Sequence, residues 1–234
     1  MDTRRANLIS VLCALCFPTL LTAIYFVVLA DRPSIVLQTV YSVGKLVQFG
    51  FPAVWILLIC KEKFSMPVMH KRGLVEGFGF GVLTASAMFG LYWLILKPSG
   101  FFEGPGQAVR EKVLSLGMDQ PWKFILLAVF YSLVHSLLEE YYWRWFVFRE
   151  LRKLSGFLVS LVVSSVGFAA HHVVLLAVFF GWDSPATWLF SFSICCGGAV
   201  WAMIYERSKS IYGPWLSHLL ADAAIFLIGY DLVR

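Results

Sequence analysis

The chain has 234 residues, 59% of them hydrophobic, 17% aromatic and only 14% charged, and its mean hydropathy is +0.77. A soluble domain carries about 25% charged residues, so these values exclude a soluble protein and leave an all-α polytopic membrane helix bundle. At about 20 residues per span the length allows about seven to eight transmembrane helices and no separate soluble domain, and the net charge of +5 sits in loops, where topology rather than nucleic-acid binding accounts for it.

The spans are read in chain order. Asn7–Ala30 is the first, kinked at Pro18, with Arg4 and Arg5 ahead of it. It is long enough to cross and is followed by no small-residue cleavage signal, so it reads as a retained helix. Asp31-Arg32-Pro33-Ser34 is a turn. Ile35–Cys60 is the second span, and Lys45 and Gln48, one turn apart, give it a polar face that must look into the protein. Lys61–Arg72 is a basic loop. Leu74–Leu96 is the third span, where Gly77 and Gly81 offer a ridge for close helix packing.

Lys97–Pro121 is the one long polar interval, punctuated by Ser99-Gly100 and Gly104-Pro105-Gly106. Within it Val109, Val113, Leu114 and Leu116 predict a short amphipathic helix between Gln107 and Met118, lying on the membrane surface and ended by Gly117. Four more spans follow: Trp122–Phe148, Phe157–Phe180, Thr187–Tyr205 and Tyr212–Leu232. The reading is a single membrane domain, 1–234, with N-terminal spans over 1–96, the polar loop over 97–121 and a core over 122–232. With the N-terminus inside, eleven lysines and arginines fall in inside segments and six, Arg234 among them, outside. That bias predicts a cytoplasmic N-terminus. The five cysteines, Cys13-x-x-Cys16 included, lie in or beside apolar runs and read as packing residues rather than a redox motif.

Charge is concentrated in the last four spans, at His135, Glu139, Glu140, Arg144, His171, His172, His218 and Asp222. An ionisable group at mid-span costs roughly 2.5–3.5 kcal/mol, so each needs a partner or a use. Glu140 and Arg144, four residues apart, share a helix face and form a pair. Glu139 points about 100° away and is left free, facing a wet cavity, with His135 one turn before it. His218 and Asp222 are again one turn apart. His172 comes from a third helix, and its neighbour His171 points elsewhere, as a packing residue. A free glutamate beside a histidine takes a proton from water for attack on a carbonyl. A second, hydrogen-bonded histidine stabilises the oxyanion. Zinc held by His172, His218 and Glu139 is the alternative use of these groups, although no His-Glu-x-x-His or Glu-x-x-His pattern is present.

Three motifs in order carry a family resemblance: Glu139-Glu140-Tyr141-Tyr142-Trp143-Arg144, Phe168-Ala169-Ala170-His171-His172 and His218-Leu219-Leu220-Ala221-Asp222. Together they resemble the Glu-Glu-x-x-x-Arg, Phe-x-x-x-His and His-x-x-x-Asn/Asp motifs of the CPBP family. Its members include the type II CAAX prenyl endopeptidases and the bacteriocin-processing or immunity (ABI) proteins. The resemblance covers roughly 122–232. It implies an intramembrane glutamic endopeptidase without a metal cofactor, embedded by several spans in a cell membrane and acting on a membrane-embedded or lipidated peptide. It makes Glu139 the base that activates water with His172 assisting, makes His218 the oxyanion stabiliser beside Asp222, and gives Glu140 and Arg144 supporting places. Asp222 stands where prenyl-protease members usually carry Asn, and an ionised Asp cannot donate to an oxyanion. The other readings are a catalytically inactive scaffold or immunity factor on the same fold, and a small transporter, whose inverted repeats are not visible. His172 lies about 22 Å along its span at 1.5 Å per residue, whereas His218 is close to the start of its own. Glu139 and His172 meet only if the fifth helix starts later, or if the helices tilt and break.

Overall fold

The computed structural model describes residues 3–63, 68–115, 117–118 and 120–233. Leu116 and Arg234, used in the sequence reading, lie outside them. Among the described residues the regular structure is helical throughout. In chain order the helices are α1 (Arg4–Val28), α2 (Ser34–Ile59), α3 (Lys71–Leu96), α4 (Glu103–Ser115), α5 (Pro121–Leu154), α6 (Phe157–Phe180), α7 (Pro185–Ser208) and α8 (Tyr212–Val233). All but α4 are long and apolar enough to cross a membrane. The faces they turn outward carry residues such as Leu46, Leu58, Leu83, Leu94, Leu158 and Phe192, as hydrocarbon requires.

Two boundaries differ from the expected ones by four residues or more. Helix α5 does not stop at Phe148 but continues through Arg149, Arg152 and Lys153 to Leu154. These cations are matched: the buried Glu150 pairs with Arg149 at 3.1 Å and Lys153 at 2.9 Å, and Arg152 reaches Glu206 at 3.4 Å. Helix α4 begins at Glu103, before the expected Gln107, and takes in Gly104-Pro105-Gly106. A proline in a first turn lacks only an N–H that would have no partner there. Gly117, at φ +77°, follows the end of α4 in the left-handed conformation expected of a terminating glycine.

The glycine ridge of α3 is longer than the two residues expected. Gly73, Gly77 and Gly81 are all buried, and they pack on the first turns of α8. A Cβ on Gly77 would run into the Gly213 carbonyl, and one on Gly81 would stand 2.9 Å from the Ser217 Cα. Gly79, on another face, has open space. Paired charges mark the two ends of the bundle. Lys153 meets Glu62 at 3.3 Å, which joins the end of α5 to the segment after α2, and Glu206, which pairs with Arg152 of α5, also meets Lys209 at 2.8 Å at the end of α7. Lys97 and the Tyr92 hydroxyl both donate to Asp231 at 2.5 Å, joining the far ends of α3 and α8.

Helix α5 is the centre of the molecule. Every residue from Tyr141 to Phe148 is buried, Arg144 included. Its course is uneven. A single α-turn, Ser136–Glu140, is held between two π-helical stretches, Phe130–His135 and Tyr141–Phe148, a wide-turn geometry that recurs at functional sites. Around it pack α1, α2, α6, α7 and α8. Between α1, α2, α4 and α6 a cavity of about 460 Å³ opens past Arg32, Ser34, Glu111 and Lys112.

Candidate active site

The sequence puts two acids side by side on α5, and the fold gives them different surroundings. Glu140 is fully buried and accepts a 2.9 Å hydrogen bond from the Arg144 Nη1, the one-turn pair expected from the spacing. Arg144 spends its other amino group on the carbonyl oxygen of Gly198 in α7, at 3.2 Å. Its guanidinium lies over the Phe168 ring at 4.7 Å and the Trp201 ring at 5.0 Å. Gly198 permits this approach, since a Cβ there would stand 3.4 Å from Nη2. Four groups on three helices, α5, α6 and α7, are thus held by one cation.

The same carboxylate orients a histidine from α8. The Nδ1 of His218 lies 2.8 Å from the Glu140 Oε1, and since a carboxylate only accepts, Nδ1 carries the proton. The ring is stacked on Trp201, with centroids 4.3 Å apart and planes 15° from parallel. Trp201 is itself held by its Nε1 donating to Ser217 at 2.9 Å. So positioned, the Nε2 of His218 faces Glu139 at 3.7 Å and Asp222 at 3.6 Å. The one-turn pair of His218 and Asp222 is present, but Glu140 makes the shorter contact.

Glu139 makes no such pair with an arginine. Only 3% exposed, it is enclosed rather than open to a wet cavity. Its carboxylate is ringed by three imidazoles: His135 at 3.9 Å, His171 at 3.7 Å and His218 at 3.7 Å. All three distances exceed direct hydrogen-bond length, the range in which a bridging water fits.

His171, expected to point elsewhere, therefore touches Glu139. It is held flat against Trp143, centroids 6.0 Å apart and planes at 6°. His172 turns its Nδ1 to the carbonyl oxygen of Phe168 one turn earlier, at 3.0 Å, and its ring centroid is 4.0 Å from that of His171. Adjacent histidines on a helix are about 100° apart, and nothing in their spacing tells which faces the neighbouring helix. Trp143 and Trp201, the two platforms, carried no sequence signal beyond being apolar. Among the described residues, no three His, Cys, Asp or Glu side chains are grouped as ligands of a metal ion.

The fifth helix begins at Phe157 as expected, so the depths are reconciled elsewhere. Ser208, Ser210 and Ile211 are buried, which means that α8 starts inside the bundle. His218 meets Glu140 within two turns of that start.

Residues 121–224 match the family model of the type II CAAX prenyl endopeptidase Rce1-like proteins. This segment is similar to the Rce1-like family. Comparison with curated proteins and with solved structures finds no significant match. The Rce1-like segment contains every ionisable group of the Glu139 cluster described above, from His135 to Asp222. The family is one of proteases, and the chain is an integral, multi-pass membrane protein.

Proposed function

We propose that the chain is an intramembrane endopeptidase that hydrolyses a peptide bond of a membrane-associated or lipidated substrate, with Glu139 as general base. The observation that carries this reading is one buried carboxylate, free of any arginine, among imidazoles from α5, α6 and α8. Glu139 removes a proton from water as the oxygen attacks the scissile carbonyl carbon. The carbonyl π-electrons move to oxygen, and His218, once protonated at Nε2, donates to that oxyanion. Collapse of the tetrahedral intermediate breaks the C–N bond, and the proton held by Glu139 passes to the leaving amine. Glu140 and Arg144 act through His218 by fixing its ring. Asp222 faces the same Nε2 at 3.6 Å and supports its protonated form. His171 and His172 orient the water, His171 by direct approach to Glu139. No step requires a metal.

The test is cleavage of membrane-associated peptides by the purified protein. Replacement of Glu139 by Gln is expected to lower the rate by about 10²–10⁴-fold, the usual worth of a general base. Separate His171→Ala and His172→Ala variants show which imidazole assists. A chelator is expected to leave cleavage unchanged. Undiminished cleavage by the Gln variant, or loss with chelator and recovery with zinc, contradicts the mechanism. We place the N-terminus in the cytoplasm on the charge bias of the loops.

A further inference from the structure

The family match begins at Pro121, yet a charged side chain from α2 stands beside the site. Lys45 lies near the middle of α2, on the face that carries the buried Leu37, Gly44, Gln48 and Pro52. An ammonium at such a depth costs roughly 2.5–3.5 kcal/mol, so a lysine there calls for a counter-charge or a use. Among the described residues it makes no ion pair, Glu139 included. Two rings hold it, Tyr41 at 5.5 Å and Phe49 at 5.3 Å from its Nζ. Aromatic faces accept a cation without neutralising it.

The rings connect Lys45 to the reacting groups. Phe49 stands edge-on to His135 at 5.8 Å, and the His135 Nε2 is 3.9 Å from Glu139. Tyr41 shares a 3.3 Å hydrogen bond with Tyr131, whose ring is 4.7 Å from that of His135. The charge of Lys45 also acts through space on His135, Glu139 and His171. Glu140 and Arg144 neutralise one another, and a paired carboxylate has little attraction left for Lys45. Glu139 acts on Lys45 through space as its counter-charge but lies outside ion-pair distance, so the ammonium has no carboxylate in direct contact among the described residues and its N–H donors are open to one brought by a substrate.

Building on the protease reading, we propose that Lys45 is a specificity-determining residue that receives a carboxylate of the substrate. Its three N–H donors form charge-assisted bonds with a carboxylate in a low-dielectric setting, and the distance from Lys45 to Glu139 sets how far that carboxylate lies from the bond that is cut. The carboxylate is either the C-terminus of the peptide or an acidic side chain close to the cleaved bond.

One membrane-associated peptide that the protein cleaves serves in three forms: free C-terminal acid, C-terminal amide, and amide with a terminal Asp. The wild-type protein is expected to show kcat/KM about 10–100-fold higher for the acid than for the amide. In Lys45→Met that ratio falls to about 1, and Lys45→Arg retains most of it. A ratio within one variant does not depend on the fraction folded. Recovery with the Asp peptide supports recognition of any nearby carboxylate, and no recovery supports recognition of the terminus. A wild-type ratio near 1, or a Met variant that keeps the wild-type ratio, overturns the role of Lys45 and leaves the protease reading intact. No cleavage of any membrane-associated peptide by folded wild-type protein overturns that reading, on which this one rests.

Discussion

Glu140 and Arg144 carry opposite charges into a place where neither survives alone, and the energetics of that pair belong to the residue scale. Both are at most 2% exposed. Removing one partner of a buried pair leaves an uncompensated charge and costs about 3–5 kcal/mol. Arg144→Met is expected to lower thermal stability of the purified protein by about that amount, while the double replacement Glu140→Gln with Arg144→Met loses less than the single one. The two midpoints compared in one detergent check this, and a double variant less stable than the single one contradicts it. This pair was legible in the sequence because a four-residue spacing on a helix fixes both partners. The pairing of Glu139 with imidazoles was legible only in part. His135 lies one turn before it and could be named, but the choice between His171 and His172 depends on how α6 is rotated against α5. That rotation is set by the packing of Trp143, Phe168 and Leu15 around Gly167, which no local spacing encodes.

At the scale of elements, α3 and α8 approach each other closely, and glycine is what allows it. A methyl group on Gly77 would occupy the position of the Gly213 carbonyl, whereas Gly79 has nothing within 4 Å. Gly77→Ala is therefore expected to destabilise the protein by about 1–3 kcal/mol, the usual cost of overpacking, and to lower activity by displacing His218. Gly79→Ala leaves both near wild type. Thermal unfolding and cleavage rates of the two variants decide the matter, and equal behaviour contradicts the packing described. The ridge itself was readable from the four-residue repeat. Its partner was not, because α8 carries few features to mark the facing side and the contact spans some 140 residues of chain. The same holds for the buried start of α8. From sequence, His218 lay too near the end of a span to meet groups in mid-membrane, and burial of Ser210 and Ile211 removes that conflict.

For the whole molecule, seven long apolar helices that each cross once would put the two ends of the chain on opposite sides of the membrane, and on the charge bias we propose that the N-terminal side is the cytoplasmic one. Single cysteines placed at Met69 and at Glu103 in a cysteine-free background are expected to react with an impermeant maleimide from opposite sides, Met69 from the cytoplasmic one. Labelling of both from one side contradicts the seven-span layout. Composition was enough to give the class and the number of spans, since hydrocarbon imposes length and apolarity on every crossing segment. It was not enough to bring Lys45 of α2 to the site built by α5, α6 and α8, because the contact passes through Phe49 and His135 and exists only in the assembled bundle.

The proposed protease activity rests on Glu139. The most direct test is an unbiased comparison of membrane-protein fragments in cells carrying either the wild-type chain or Glu139→Ala at equal abundance. The account predicts a set of new termini present with the wild-type chain and missing with the variant. The same termini at the same levels in both would contradict it.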